Sequence, residues 1–272
     1  MEKGKIETKI YFSRKGKFSM VTAVITGASS GLGKEYINAI IAQYPSVDAF
    51  WLVARRKELL KEIAEEHPDK TIAAISLDLS KEESITIFEK LLKENNPEIK
   101  VLVNNAGYGK CGDFFSANRT AQTGMVDLNC RALTAITRLC LPYMLDDSLV
   151  INVASIAAFA PTPRMSVYCA TKAYVLALSK ALHDELRPRG IKVLAVCPGP
   201  MDTDFWQVAG VTEGKSRLID KLPRVNAQEV AVASLRAAKS GKMVYTRSFF
   251  YKFYHFLSKV VPHSIIMEFT EV

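Results

Sequence analysis

The chain alternates between short apolar runs rich in β-branched residues and longer stretches whose apolar residues recur at helical spacing. Six of the short runs have the length of buried strands, and they occupy residues 21–25, 49–53, 71–77, 100–103, 148–155 and 191–196. The stretches between them are amphipathic, as Val175, Leu178, Leu182 and Leu186 illustrate. Strands that alternate with helices predict an α/β fold, a single doubly wound parallel sheet with helices on both faces.

The pattern divides the chain into three parts. Residues 20–247 carry the strands and helices and are expected to form one domain. Residues 1–19 hold six basic residues against two acidic ones, which is typical of a solvated arm and disfavours nucleic-acid or lipid binding by it. Residues 248–272 form an aromatic, amphipathic tail.

Two neighbouring apolar stripes run along this tail at helical spacing. One consists of Phe249, Phe253, Phe256 and Val260, and the other of Phe250, Tyr254, Leu257 and Val261. Apolar surface of this extent has to be covered. Three covers are compatible with the sequence: packing on this subunit or its twin, peripheral contact with a membrane, which the flanking lysines favour, and closure over an apolar substrate.

Bulk composition narrows the classes of protein. The chain has 272 residues, 49% of them hydrophobic, and a net charge of +8. Its five cysteines are scattered without a C-x-x-C pair, which predicts reduced thiols and a cytoplasmic location and argues against a disulfide framework or a metal site. No run is long and apolar enough to read as a transmembrane span.

A glycine-rich turn, TGASSGLG, follows the first predicted strand and precedes the first helix. In this context Gly27, Gly31 and Gly33 let the backbone turn sharply, approach a pyrophosphate and pack the helix closely. The free N–H groups of the helix then favour an anion. The spacing is G-x-x-x-G-x-G, and its place after the first strand predicts a dinucleotide site.

The second predicted strand ends in Ala54, Arg55 and Arg56. An acidic residue at this position binds the ribose 2′-hydroxyl of NAD, whereas an arginine suits a 2′-phosphate. Since two arginines and no acid are present, the sequence favours NADP(H).

Residues 155–172 contain the candidate reaction centre. Ser155 ends the fifth predicted strand, and Tyr168 and Lys172 lie four positions apart on one face of the next helix. A cation beside a phenol is expected to lower the tyrosine pKa towards neutrality. With Ser155 holding a substrate oxygen, the three residues suit interconversion of a carbonyl and an alcohol. The spacing alone is common on helix surfaces, so the hypothesis depends on the nucleotide turn.

These motifs, in this order, resemble the short-chain dehydrogenase/reductase family. The resemblance spans about residues 20–245 and rests on TGASSGLG, Asp78-Leu79, Asn104-Asn105-Ala106-Gly107, Asn129, Ser155, Tyr168-x-x-x-Lys172, and Pro198-Gly199 with Thr203. It implies a Rossmann-like fold. The segments ALTAITR and VARRKELL are similar to a subgroup that reduces small ketones and lipid ketones.

The resemblance also implies roles for individual residues. Tyr168 is expected to act as general acid/base, Ser155 to orient the substrate oxygen, Lys172 to bind the nicotinamide ribose, and Asn129 to hold a water linked to Lys172. The resemblance also implies that the glycine-rich turn, the two arginines, Tyr168 and Lys172 bind the cofactor. It adds eleven further cofactor-binding residues: Ser29, Ser30, Leu32, Asp78, Leu79, Asn105, Ala106, Gly107, Pro198, Gly199 and Thr203. Members of the family form homodimers or homotetramers through the helices that contain Asn129 and Tyr168.

Two departures from the family pattern concern the substrate rather than the reaction. Ala154 stands where a serine is frequent, and Ala158 replaces a frequent glycine. Residues 199–223 are expected to form a substrate lid with Phe205, Trp206 and Val208 as its apolar contacts. The predicted remaining pocket walls are Tyr108, Phe114, Phe115, Phe159 and Met165.

The sequence therefore predicts an NADP(H)-dependent oxidoreductase that interconverts a ketone and a secondary alcohol. The apolar walls favour a bulky substrate, such as a hydroxysteroid or a lipid ketone, for a carbonyl-reductase type of enzyme. One alternative is a β-ketoacyl thioester reductase, in which Arg131 and the basic surface meet an acidic carrier. The other is a catalytically idle NADP-binding scaffold.

Overall fold

The computed structural model describes residues 10–12, 20–203, 205–210 and 222–270. Its eight strands are β1 (Ile10–Phe12), β2 (Val21–Thr26), β3 (Ala49–Ala54), β4 (Thr71–Ser76), β5 (Glu98–Asn104), β6 (Met144–Val153), β7 (Lys192–Val196) and β8 (Val244–Tyr245). The α-helices are α1 (Gly31–Gln43), α2 (Lys57–Glu66), α3 (Glu82–Asn95), α4 (Arg119–Val126), α5 (Leu133–Cys140), α6 (Ser166–Glu185), α7 (Phe205–Ala209), α8 (Ala227–Lys239), α9 (Phe249–Val260) and α10 (His263–Glu268).

The strands form one sheet in the order β1-β4-β3-β2-β5-β6-β7-β8. Strands β2 to β8 pair in parallel, which confirms the predicted doubly wound sheet. Strand β1 adds to the edge in antiparallel register against β4. Part of the basic arm therefore belongs to the sheet, although the sequence predicted a solvated arm throughout. The rest of that arm lies outside the described residues.

Both faces of the sheet are buried, as the continuous apolar runs require. On one face, Tyr36 and Ile40 of α1 and Leu235 of α8 pack with inward residues of the central strands. On the other face, Phe88 of α3 and Ile136 of α5 pack with the alternate residues of the same strands. Because helices cover both faces of the sheet, the carboxyl ends of the strands are held together along one edge.

The strand order reverses at β2, which pairs with β3 on one side and β5 on the other. Connections from β2 and β5 therefore leave the sheet on opposite faces, and a crevice opens between their carboxyl ends. The glycine-rich turn follows β2, and the Asn105-Ala106-Gly107 segment follows β5. The topology places both motifs at this crevice.

Two local features differ from a regular helix pattern. Helix α3 begins after Lys81 without a side-chain cap bond, and the Ser80 hydroxyl just before it donates to the Asp78 carboxylate at 2.7 Å. Between α4 and α5 the chain remains helical through a π-helical turn, Asp127–Ala132, which contains Asn129. Such turns are frequent at functional sites.

All five cysteines are free thiols. Over the described part of the chain, no helix has the length and apolar character that crossing a bilayer requires. The same residues contain no group of histidine, cysteine and acidic side chains arranged to hold a metal ion.

Candidate active site

A cavity of about 740 Å³ opens at the carboxyl edge of the sheet. The structure brings together at its walls every predicted site residue except Gly33 and Asn129. Residues that follow each of the strands β2 to β7 line it, which explains why residues far apart in sequence meet here. The two exceptions lie directly behind the wall and are described below.

The glycines of the turn are required by space as well as by conformation. Gly27 adopts a φ of 65°, and a β-carbon built on it would lie 2.9 Å from the backbone of Ala106. A β-carbon on Gly33 would lie 2.1 Å from the carbonyl oxygen of Gly27. Larger residues at either position would push the turn away from the neighbouring segment. Gly33 thus packs the turn from behind and leaves the wall to Gly31 and Leu32.

Thr26 holds two motifs in register and was missed by the sequence reasoning. Its hydroxyl oxygen accepts hydrogen bonds from the backbone N–H groups of Asn105 (3.0 Å) and Ala106 (3.1 Å). The Asn105 side chain in turn donates to the Gly27 carbonyl at 3.0 Å. The signal in the sequence is the position of Thr26 as the last residue of its strand. Its partner, however, lies 79 residues away.

The start of α1 has the character of an anion site. Its N-cap Ser30 makes no side-chain cap bond to the described helix, and the first turn carries no acidic residue. The first N–H groups therefore point towards the cavity without a side-chain partner from the cap. The Arg56 guanidinium donates to the hydroxyls of Ser29 (3.2 Å) and Ser30 (2.5 Å), so a cation lies above this turn. The glycine cradle, the helix N-terminus and the arginine together fit a dinucleotide phosphate.

The neighbouring wall combines one carboxylate with apolar side chains. Asp78 accepts from the backbone N–H of Ser80 at 3.1 Å and from its hydroxyl, which holds the carboxylate at the cavity. Leu79 is buried beside it. Arg55 lines the cavity, while its carbonyl accepts from the Ser76 hydroxyl at 3.1 Å. This wall offers a flat apolar surface with charged groups at its rim, as the adenine end of a dinucleotide requires.

Ser155 and Tyr168 both lie in the wall of the cavity. Ser155 follows β6 with an extended backbone, and its Oγ accepts from the Ala157 N–H at 3.2 Å. Burial raises the pKa of Tyr168 above its ordinary value, and the neighbouring Ser155 side chain acts in the opposite direction. The sequence predicted a lowered pKa, which is wrong for this structure because loss of hydration outweighs every favourable interaction.

Lys172 lies one turn further along α6, with its Nζ 5.7 Å from the centroid of the Tyr168 ring. The ammonium is buried and donates to the Val153 carbonyl at 2.8 Å. Burial lowers the pKa of Lys172 to about 8, because the charged form loses hydration. The amine therefore remains mainly protonated at neutral pH and faces the cavity beside the phenol.

Asn129 lies behind this pair and supports the wall. Its side-chain oxygen accepts from the Tyr108 N–H at 3.0 Å, while its amide donates to the Tyr108 carbonyl and to the Thr171 hydroxyl. A β-carbon on Gly107 would lie 2.9 Å from the Asn129 oxygen and 3.5 Å from the Lys172 Nζ. Gly107 thus lets Asn129 and Lys172 approach one another. The predicted water between them remains a prediction.

The predicted pocket walls are partly correct. Tyr108, Met165, Phe205, Trp206 and Val208 line the cavity. Phe205 contacts the reaction centre directly, with its ring centroid 5.5 Å from that of Tyr168. Residues 211–221 of the predicted lid lie outside the described residues.

Three predicted wall residues lie elsewhere. Phe114 and Phe115 are exposed on the loop that follows β5. Phe159 is buried and stacks on His255, with ring centroids 4.2 Å apart. It therefore supports the tail helix and does not line the cavity.

The tail completes the cavity on this subunit. One of its two predicted stripes, Phe250, Tyr254, Leu257 and Val261, lines the wall opposite the glycine-rich turn. Ile265, Ile266 and Phe269 from the segment of α10 extend this wall. Tyr251 anchors the helix, because its ring contacts Gly199 and its hydroxyl donates to the Pro223 carbonyl at 2.5 Å. The sequence reasoning missed this anchor, since its partners lie in the lid.

Comparison with known proteins agrees with this geometry. A family model described as short chain dehydrogenase matches residues 21–213. An uncharacterized oxidoreductase from Staphylococcus epidermidis is 32% identical over 219 residues, which are 79% of this chain and 89% of that protein.

Two solved structures have similar folds. A short-chain dehydrogenase from Sphingobium yanoikuyae in complex with NADPH is 31% identical, with a TM-score of 0.73 over 84% of this chain and 87% of that one. The bulky-bulky ketone specific alcohol dehydrogenase from Comamonas testosteroni is 29% identical, with a TM-score of 0.67 over 92% of this chain and 95% of that one.

Proposed function

Because this chain belongs to the short chain dehydrogenase family, we propose that it interconverts a bulky apolar ketone and its secondary alcohol with NADP(H). The observation that carries the proposal is the group formed by Ser155, Tyr168 and Lys172, with the Lys172 Nζ 5.7 Å from the centroid of the Tyr168 ring. It lies in the wall of the same cavity that contains the glycine-rich turn. A proton-transfer group and a site for a hydride carrier therefore share one enclosed space.

In this proposal the bound nicotinamide supplies the hydride that reaches the carbonyl carbon. Tyr168 donates its hydroxyl proton to the carbonyl oxygen in reduction, or removes it in oxidation. Ser155 donates a hydrogen bond to the same oxygen and stabilises the negative charge that develops there. Since burial raises the pKa of Tyr168, the neutral phenol predominates at neutral pH, and this is the form that reduction needs.

Lys172 has a positioning and electrostatic role in this scheme. Its ammonium is fixed by the Val153 carbonyl and lies beside the Tyr168 ring. When Tyr168 has given up its proton, this charge stabilises the phenolate. Asn129, through its contact with the Tyr108 backbone, keeps the neighbouring wall in place.

The preference for NADP(H) rests on the charge around the start of α1. Arg55 and Arg56 follow β3 and line the cavity, and Arg56 reaches Ser29 and Ser30. The position that would hold an acid for the ribose 2′-hydroxyl is thus basic. Two guanidinium groups suit a 2′-phosphate, because arginine binds phosphate oxygens in pairs.

The substrate class follows from the opposite wall. Phe250, Leu257 and Val261 of the tail line the same cavity as Tyr168, and Met165 and Phe205 of the main domain pack against Tyr168 itself. Apolar walls of this kind favour a hydrophobic ketone over a charged metabolite. The resemblance to an enzyme specific for bulky-bulky ketones supports the same class.

The alternative of a β-ketoacyl thioester reductase loses its main argument in the structure. Arg131, which was expected to meet an acidic carrier, is bonded to Asp127, Glu82 and the Ser80 carbonyl. An idle scaffold is also disfavoured, because Tyr168 and Lys172 are buried beside the partly buried Ser155 at one wall. Burial of these polar groups has a cost in stability that binding alone does not require.

A cofactor and substrate screen tests the proposal. Purified protein is mixed with NADPH or NADH and a panel of aliphatic, aromatic and steroidal ketones and acyl-carrier thioesters, and absorbance of the reduced cofactor is followed. We expect turnover with NADPH and bulky free ketones. Absence of turnover with every ketone and alcohol in the panel, despite NADPH binding, would contradict the proposed reaction.

A further inference from the structure

The tail helix α9 has a second apolar face that points away from the cavity. We propose that this face docks on an anionic lipid bilayer and places the cavity mouth at the membrane surface. The residues of this face, here called the outer stripe, are Phe249, Phe253, Phe256 and Val260. The inference does not depend on the proposed reaction, because it concerns binding of the surface alone.

The outer stripe is exposed along its whole length. Phe249 is 83% exposed, Phe253 51%, Phe256 59% and Val260 61%. These residues recur with a spacing of four and three, so they form one continuous line on the helix. Three phenylalanines and a valine in one line expose a contiguous apolar patch, whereas exposed apolar residues on a monomer are usually scattered. A patch of this kind marks an interaction site.

The charge of the same segment suits anionic headgroups. Residues 248–267 contain two lysines and two histidines and no acidic residue. Lys252 and Lys259 are exposed and lie on the row next to the outer stripe, on the side away from the cavity. Aromatic residues on one row with lysines beside them are typical of helices that lie in a membrane interface.

The outer stripe is continuous with the mouth of the cavity. Phe250, Ile265, Phe269 and Val208 line the cavity and are also exposed large apolar residues. Phe250 lies on α9 beside Phe249 and Phe253, so the rim of the mouth and the outer stripe share one helix. Docking of this surface would leave an apolar ligand with a path from the bilayer to the cavity that avoids water.

A second copy of the chain is a weaker candidate for this surface. Pairing two α9 helices along their outer stripes would bring Lys252 and Lys259 of both copies together. The segment from residue 248 to residue 267 has no carboxylate to compensate them. A bilayer that contains acidic lipids supplies that charge.

Flotation with lipid vesicles tests the proposal. The full-length protein is mixed with vesicles of phosphatidylcholine, alone or with an equal part of phosphatidylglycerol, and floated on a density gradient. We expect flotation with the acidic mixture and much less with phosphatidylcholine alone. The double variant Phe253→Ser/Phe256→Ser is expected to weaken binding by about a hundredfold, since burial of one phenylalanine corresponds to at least about tenfold in partitioning.

Charge variants and a folding control complete the experiment. Lys252→Glu/Lys259→Glu is expected to abolish the preference for acidic vesicles, whereas Lys90→Glu/Lys93→Glu on α3 makes the same charge change and is expected to float normally. Unchanged melting temperatures of the variants exclude unfolding as the cause. Vesicles that contain brominated lipids report the orientation of the protein on the bilayer. We expect them to quench the fluorescence of Trp206, which lines the cavity. The quenching should be lost in Trp206→Phe.

Three results overturn the proposal. The first is no flotation of the wild-type protein with either mixture. The second is equal flotation of the wild type and Phe253→Ser/Phe256→Ser. The third is a change from dimer to monomer in that variant by light scattering with unchanged flotation, which would assign the outer stripe to a second copy.

Discussion

The ring of Tyr251 contacts Gly199 so closely that a β-carbon built on that glycine would lie 2.3 Å from the Tyr251 Cε2 atom. Tyr251 belongs to the tail helix, while Gly199 follows β7 and lines the cavity. Because the Tyr251 hydroxyl also bonds to the Pro223 carbonyl, one side chain joins the tail to both ends of the predicted lid. The contact therefore fixes the tail helix against the carboxyl edge of the sheet.

We predict that Gly199→Ala lowers the free energy of unfolding by about 1–3 kcal/mol, because overpacking of a buried contact has a cost of this size. Urea unfolding measures the change. In a Tyr251→Leu background the same substitution should cost clearly less, since the two residues interact. An equal loss of unfolding free energy in both backgrounds would show that the alanine β-carbon does not clash with the Tyr251 ring.

Tyr168→Phe is expected to lower turnover about 10²–10⁴-fold, the usual contribution of a positioned acid or base. Cofactor affinity should stay close to that of the wild type, as fluorescence titration with NADPH can show. Tyr174→Phe is the matched control, because Tyr174 lies on the same helix but is exposed and bonds to Thr134. Near-normal turnover of Tyr168→Phe would remove this residue from the reaction.

Arg55→Ser/Arg56→Ser is predicted to raise the KM for NADPH by at least about tenfold, since even one hydrogen bond to a charged group contributes about 1.5–3 kcal/mol. The KM for NADH should change much less, because NADH has no 2′-phosphate. Lys61→Ser, on the neighbouring helix α2, removes a cation that bonds to Glu58 and serves as the control. A parallel rise for both cofactors would assign the arginines to the shared pyrophosphate instead.

Burial lowers the pKa of Lys172 from 10.5 to about 8. Between these two values the unfolded chain binds a proton that the folded protein lacks, so the stability due to this residue rises with pH across that window. At lower pH both states are protonated and the full cost of burying the charge applies. Lys172→Met removes this cost.

The stability advantage of Lys172→Met over the wild type is therefore expected to shrink by about 3 kcal/mol between about pH 7 and about pH 10.5. Urea unfolding at both pH values gives the difference. A pH-independent difference for Lys172→Met would mean that its amine is hydrated in the folded protein.

Leu257→Trp is predicted to lower kcat/KM for bulky ketones by about tenfold or more while small ketones are affected less, because the indole occupies the apolar side of the cavity. Val260→Trp is its matched control on the outer stripe. It enlarges a residue of the same helix that does not line the cavity. Steady-state kinetics with a small and a bulky ketone distinguish the two positions, and equal effects of both variants would contradict the assignment of the faces.

Much of the fold and many of the candidate site residues could be predicted from sequence because their signals are local. Apolar runs of strand length predicted the parallel sheet, and several of the candidate motifs directly follow a strand. In a parallel sheet the carboxyl ends meet at one edge, so order along the chain is enough to bring Gly27, Asn105, Ser155 and Gly199 together. The chemical roles assigned to these residues remain predictions.

Tertiary structure alone decided the features that depend on partners distant in sequence. The tail shows two equally apolar stripes, and helical periodicity cannot tell which faces the cavity; Tyr251 decides it by binding at Gly199 and Pro223. The pKa of Tyr168 likewise depends on burial, which raises it although the i, i+4 spacing places a lysine beside the ring. Local spacing determines which groups are neighbours, whereas hydration and facing direction result from how the whole chain packs.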